Sequence, residues 1–307
     1  MISLAGALAW LEGHCPTLPA ETVDLARAAG RVLAHDVTLR AAPARPVALI
    51  DGLAVCAAET EGASEYVPLP VRGAAVRAGF SMPEGTDAVA EIYDGGAVLA
   101  AVARGHGVAQ AGHDVAAGSV LRAGVRLTPL HLAMMDAAPS VVRRPCLGGD
   151  ASAMIRALAV LEGAGDGGVA NLVLDPVGGF PISLAGVAIR PGERTELGLL
   201  DGVPALRLPL HPADAATVFA LLAAPMLRRM GGQAEPVPLQ VFLTRKIASG
   251  LGQVDVVRVR VEGGEATPLG PAEGLSLTVA ETATGLVLVP EGSEGYPAGA
   301  MVTVIPL

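Results

Sequence analysis

The sequence predicts an α+β protein of several domains, on three observations. Its 307 residues exceed one ordinary core and divide naturally into two to four domains. Helical periodicity and cap signals occur at the start of the chain, near Thr128, after Asp150 and over His211 to Met230. Beyond Pro236 the pattern is wholly β, enough for a small barrel or sandwich.

In chain order, Ser3 precedes a run in which Leu4, Ala7, Leu8 and Leu11 share one face, so it reads as the N-cap of a first helix. A second helix is expected over Glu21 to Ala29, ended by Gly30. The stretch Ala41 to Pro46 contains two prolines and reads as an extended connector. From Ala48 to Val102 short strands are expected, among them Val67 to Val71 and Ala88 to Ile92, punctuated by Gly79, Gly85 and Gly95-Gly96. Thr128-Pro129 supplies an N-cap and a first-position proline for a helix reaching Ala138. Asp150 reads as the N-cap of a helix to about Glu162, followed by the loop Gly163 to Gly168 and a buried strand, Val169 to Leu174. His211 to Met230 reads as one long apolar helix, closed by Arg228-Arg229 and Gly231-Gly232. Five strands are then expected: Val237 to Thr244, Val254 to Val261, Leu275 to Glu281, Leu286 to Val289 and Ala300 to Ile305.

Composition narrows the function. Hydrophobic residues at 51% against 17% charged argue against disorder, and 3% aromatics leave alanine, valine and leucine to pack as small aliphatic layers. The mean hydropathy of +0.51 has two explanations, alanine-rich composition or a large buried subunit interface. The net charge is −9 and no Lys/Arg run exceeds a pair such as Arg143-Arg144 or Arg228-Arg229, which disfavours a nucleic-acid partner. The N-terminus has no positive region before its short apolar stretch and does not read as a signal peptide. Ala215 to Leu227 falls short of the ~20 residues a bilayer crossing takes, so no membrane association is expected. Cys15, Cys56 and Cys146 are widely spaced without a CxxC, as suits a reducing cytoplasm. The histidines lack metal-ligand spacing, and no P-loop, Gly-x-Ser-x-Gly or Rossmann fingerprint supports NTPase, hydrolase or dinucleotide chemistry.

Four collinear stretches point further. The first is Ile50-Asp51-Gly52-Leu53-Ala54-Val55 with Ala57-Ala58-Glu59-Thr60. The second runs Ala78-Gly79-Phe80-Ser81-Met82-Pro83-Glu84-Gly85-Thr86-Asp87-Ala88-Val89. The third joins Gly112-His113-Asp114-Val115 through Gly118 and Gly124 to Leu127-Thr128-Pro129. The fourth pairs Val187-Ala188-Ile189-Arg190-Pro191-Gly192 with Leu208-Pro209-Leu210-His211-Pro212. In order and spacing these resemble the molybdopterin molybdenumtransferase family, of the MoeA/gephyrin type.

That resemblance implies an elongated helical part (1–45 and 106–141), an inserted β-rich lid (46–105), a shortened molybdopterin-binding-like α/β domain (142–233) and a C-terminal β-barrel (234–307). It implies a cytoplasmic homodimer, with the lid of one subunit facing the α/β domain of the other. The family's reaction inserts molybdate into adenylated molybdopterin and releases AMP, with Mg2+. A site for so anionic a substrate needs backbone N–H groups in glycine turns, basic side chains and carboxylate-held cations. Carried over, the catalytic candidates are Asp51 and Asp114, and the ligand-binding candidates are Gly79, Gly149, Asp150, Arg190, Gly192, Arg194 and His211.

The chain departs from the family pattern at polar positions. Pro46-Val47-Ala48 stands where the family has Asp-Asn-Ser, Ala78 replaces a threonine, Tyr93 stands beside a remaining Asp94 where a glutamate is expected, and His113 replaces a glutamate. Glu193 takes the place of a lysine, with Arg194 one position on, and Leu210-His211 replaces Gly-Asn. Few βαβ units fit between Val142 and Val187, so the nucleotide pocket is expected to be trimmed, with Gly148-Gly149-Asp150 and Gly178-Gly179 as relics of its loops. The alternative to a transferase is therefore a catalytically silent relative that binds cofactor or a molybdoenzyme-maturation protein.

Overall fold

In the computed structural model, which describes residues 1–91, 97–165, 168–174 and 179–307, Ser3 Oγ accepts from Gly6 N at 3.1 Å and opens the helix Leu4–His14. Ile92, Tyr93, Asp94, Gly95-Gly96, Asp166-Gly167 and Gly178 lie outside the described residues. Ala7 and Leu11 of this helix are fully buried, in a core built mainly from residues 151–230.

That core is organised by a mixed five-stranded sheet, in the order Leu147–Gly148, Leu172–Leu174, Val203–Arg207, Glu196–Leu200, Ile182–Ala185. The first three strands are parallel and the last two antiparallel. The second strand begins at Leu172 and not at Val169, which is 86% exposed. The helix Ala153–Leu161 is capped by Ser152, whose Oγ accepts from Ile155 N at 3.4 Å; the expected cap, Asp150, lies two residues too early to reach that N–H and sits exposed in a bend.

The predicted helix over His211 to Met230 is continuous but not uniform: α over Pro212–Val218, π over Phe219–Ala223 and α again over Ala224–Met230. Pro225 has no N–H for the carbonyl four residues back, and the widened turn lets the helix pass it. Phe219, Leu222, Leu227 and Met230 are buried under the sheet.

Residues 20–42 and 115–142 share a smaller core around Leu33, Leu127 and Val141. The second predicted helix is largely replaced here: Ala20–Thr22 pairs antiparallel with Ser140–Val142, and only Leu25–Ala28 is helical. Strand 140–142 satisfies the backbone of 20–22, and Glu21 is positioned to pair with Arg31. Thr128 forms the expected cap, accepting from His131 N while His131 Nδ1 accepts from Thr128 N, both at 3.2 Å. The helix stops at Ala133 and not Ala138, since Pro139 and the following strand require extended chain.

The described residues from Ala48 to Val102 are β-rich, as expected. Gly52–Val55 lies between Ala74–Val76 and Ala88–Ala90, and Val47–Ala48 pairs with Val108–Ala109 where the segment leaves and rejoins the rest. Of the expected strand Val67 to Val71 only Leu69–Pro70 forms, paired with Ala97–Val98.

The last stretch closes into a five-stranded barrel: Val254–Glu262, Glu265–Pro268, Leu239–Leu243, Met301–Pro306, Gly285–Val289 and back to Val254–Glu262. Val257, Val259, Val287, Val289, Val302 and Val304 alternate into its interior. The predicted strand Leu275 to Glu281 is instead the short helix Leu277–Ala280, because Ser276 Oγ caps Val279 N at 3.4 Å. The fifth strand is Glu265–Pro268, which sequence patterning did not single out. A two-residue strand, Ile189–Arg190, adds in parallel to Val254–Asp255 and ties sheet to barrel. The fold is thus α+β and multidomain, with a closed C-terminal barrel, and no helix among the described residues is long and apolar enough to cross a membrane.

Candidate functional site

The two halves of the fourth stretch meet. Loop 191–194 and segment 207–214 line one cleft of about 510 Å³, joined by Glu273 from the barrel. Gly192 has φ +117°, and a Cβ there would lie 2.5 Å from Val218 Cγ2, so only glycine lets this loop settle on the long helix. His211 is the residue before the helix, with Nδ1 3.3 Å from Asp214 Oδ2.

The charges in the cleft are mixed. Arg194 is exposed and makes no hydrogen bond or ion pair among the described residues. Arg207 donates to Glu196 Oε2 at 2.5 Å and lies 5.3 Å over the Phe180 ring. Against them stand Glu193, Asp214 and Glu273. Glu193 Oε2 accepts from Gly192 N at 3.3 Å, so the loop's N–H already holds a carboxylate of its own chain. Glu273 has its carboxyl pushed above the usual glutamate range by burial and by Glu193, against the pull of Arg190.

Arg190 sits behind the cleft wall. Its Nε and Nη2 donate to Asp255 Oδ1 and Oδ2 at 2.7 and 2.9 Å, with Glu273 Oε1 3.5 Å from Nε. Asp255 is 4% exposed and also accepts from Ser249 Oγ at 2.8 Å. The bidentate bond to Asp255 raises the Arg190 pKa and fixes its guanidinium in the seam between sheet and barrel.

The structure gathers Gly192, Arg194 and His211 in this cleft with Arg190 adjoining, and the other sequence candidates lie elsewhere. Gly149 (φ +86°) and exposed Asp150 follow the parallel strand Leu147–Gly148, with Arg156 Nη2 donating to the Gly149 carbonyl at 2.5 Å. Asp51 and Gly79 come together in the β-rich segment, where Asp51 Oδ1 accepts from Ala78 N at 2.8 Å and Gly79 (φ +85°) turns the chain. Asp114 is exposed, its N–H donating to the Ala42 carbonyl at 2.9 Å. Sequence reasoning missed Arg207, Asp214 and Glu273. Arg207 directly precedes Leu208-Pro209 and was within reach of the motif; Glu273 arrives only through folding of the barrel.

The chain is thus an α+β multidomain protein with a β-rich insertion, a mixed sheet carrying this cleft and a closed C-terminal barrel. Residues 2–138 match the family model of the MoeA N-terminal region (domain I and II), and residues 240–307 match that of the MoeA C-terminal region (domain IV). The chain belongs to the MoeA family. It is 24% identical to molybdopterin molybdenumtransferase 2 of Mycobacterium tuberculosis over a 380-residue alignment spanning 92% of this chain and 94% of that one. A Methanocaldococcus jannaschii chain assigned to molybdopterin biosynthesis is 34% identical over 119 residues, 39% of this chain and 28% of its own length. The crystal structure of the molybdopterin biosynthesis moeA protein from Pyrococcus horikoshii OT3 has a TM-score of 0.75 at 24% identity, with all of both chains covered. A molybdenum cofactor biosynthesis protein from Pyrococcus furiosus has 0.65 at 21%, again with full coverage. These structures share the fold.

Proposed function

We propose that this protein works in molybdenum-cofactor biosynthesis and takes a molybdopterin-type anion in the cleft between loop 191–194 and segment 207–214. The observation that carries the reading is the convergence of the two family stretches on one cleft, lined by Arg207 and by Arg194, which is unengaged among the described residues. A guanidinium suits phosphate and other oxyanions by its planar fork of donors. The reaction on this reading is insertion of molybdate into adenylated molybdopterin with release of AMP, in a cytoplasmic homodimer whose second subunit completes the site. Asp51 and Asp114 would be the acidic groups of that reaction.

Mg2+ fits this donor set poorly. No three His, Cys, Asp or Glu side chains among the described residues converge to hold a metal, and Asp51 is already engaged by the Ala78 N–H.

A second reading is favoured by one contact. Glu193, where the family has a lysine, places its own carboxylate on Gly192 N–H and reverses the charge beside the cleft. Together with Asp214 and Glu273 this weakens the grip on a multiply charged anion, as in a silent relative that holds cofactor or a molybdoenzyme-maturation protein. The test is restoration of molybdoenzyme activity in a strain lacking its transferase, alongside the pterin content of the purified protein. Restoration removes the silent reading. Failure by a well-folded protein that still binds a pterin removes the transferase reading, and absence of any pterin binding removes the cleft assignment itself.

A further inference from the structure

Arg258 lies on the barrel strand Val254–Glu262, but its side chain leaves the barrel and enters the interface with the helix Pro212–Val218, where it is 7% exposed. Nε donates to Thr217 Oγ1 at 2.9 Å, Nη2 to the Ala213 carbonyl at 3.2 Å and Nη1 to the Ala280 carbonyl at 3.5 Å. All three acceptors are neutral, and they occupy three of the five N–H groups a guanidinium offers. The carboxylate whose field reaches Arg258 is Asp214, which sits against His211 instead. Burial pushes the Arg258 pKa down, as expected for a cation held away from both water and an anion.

Two cavities flank this group, of about 360 and 470 Å³, and both are lined by Leu158, Ala216 and Arg258. Phe219, Leu286 and Ile305 wall the first, and Met154 and Leu277 the second. The size is that of ordinary small-molecule sites, and the mixture is also typical: largely apolar walls with a few polar groups, Arg258 common to both, Arg228 and Glu162 in the first and Thr278 and Glu281 in the second. Among the described residues no carboxylate pairs with Arg258, and a buried cation with spare donors and no counter-ion is costly unless something compensates it. An anion entering from either cavity would do so.

We propose that this pair of cavities binds a small amphiphilic monocarboxylate, its carboxylate on Arg258 and its apolar body along Leu158 and Ala216. The acid groups present limit the charge the ligand can bring. In the first cavity Glu162 and Arg228, 2.8 Å apart, neutralise each other, and in the second Glu281 shares the wall with Arg258, so Arg258 is left to match a single carboxylate better than a dianion such as phosphate. The site shares no wall residue with the cleft at 191–194 and stands independently of the function proposed there, apart from the helix that serves both.

The experiment is calorimetric titration of the full chain with sodium octanoate, octanol and inorganic phosphate. Octanoate is expected to bind saturably, octanol about tenfold or more weakly, and phosphate without detectable heat. Ala216→Trp, which places an indole where the cavities meet, is expected to abolish octanoate binding. Arg258→Met is expected to bring octanoate down to the level of octanol. Equal binding of octanoate and octanol to the unaltered chain, or no saturable octanoate binding, overturns the proposal. So does a folded Ala216→Trp variant that binds octanoate as before. The comparison on the unaltered chain decides the matter even where a variant fails to fold.

Discussion

Replacing Arg190 by methionine should destabilise the protein substantially while leaving its cleft residues in place. Asp255 is 4% exposed and accepts three hydrogen bonds, two of them from Arg190 and one from Ser249. Removing the guanidinium leaves that carboxylate buried with a single neutral donor. Loss of one partner of a buried pair costs about 3–5 kcal/mol, and the partial exposure of Arg190 places the expectation at the low end, about 3 kcal/mol. With a urea dependence of about 2–3 kcal/mol per molar, the unfolding midpoint should fall by about 1 M. Trp10, the sole tryptophan, packs against the core shared by sheet and barrel and is the natural fluorescence probe. The companion Arg190→Met/Asp255→Leu should recover much of the loss, since it removes both charges together. A midpoint shift of less than about 0.3 M in the single variant would refute the reasoning. Arg190 would then not be committed to Asp255, and would be available to a ligand.

Gly192→Ala is expected to cost about 2–3 kcal/mol, because the added Cβ meets Val218 Cγ2 at 2.5 Å and φ is +117°; a melting curve matching that of the unaltered chain would contradict this. For Glu273, whose carboxyl is raised mainly by burial, the folded chain holds the proton more tightly than the unfolded one. Stability should therefore fall as pH rises from the ordinary glutamate range to the raised folded value, and level off above it. Denaturation midpoints across that window should lose this slope in Glu273→Gln, and an unchanged slope would assign it to another group. Cys15 is buried and its thiol is pushed up to about 12, so iodoacetamide at neutral pH should label Cys56 and Cys146 well before Cys15, as mass spectrometry of peptides would show.

Most barrel strands were legible because valines alternate in them: Val257, Val259, Val287, Val289, Val302 and Val304 all face inward. The same rule failed at Leu275-Ser276-Leu277-Thr278-Val279, where the alternation is present but the Ser276 hydroxyl closes a helical turn. It failed at Glu21 too, where a helix-favouring residue is drawn into an antiparallel pair by a strand about 120 residues away. Local signals cannot report such a partner. In the site, Gly192, Arg194 and His211 were readable from two motifs and do converge. The carboxylates that set the charge of the cleft were not, since Glu273 comes from the barrel and the hold of Glu193 on Gly192 N–H depends on a rotamer.

The matched C-terminal segment starts at residue 240, as though it were a detachable unit. Val256 and Leu286, on its outer face, are nevertheless buried in the same core as Leu206, Phe219 and Leu227, and Ile189–Arg190 extends its sheet. Inheritance and cooperativity therefore draw their borders in different places. Cutting the chain at the family boundary would strip apolar cover from both fragments at once, and neither piece should be expected to survive the cut as a soluble, well-ordered body.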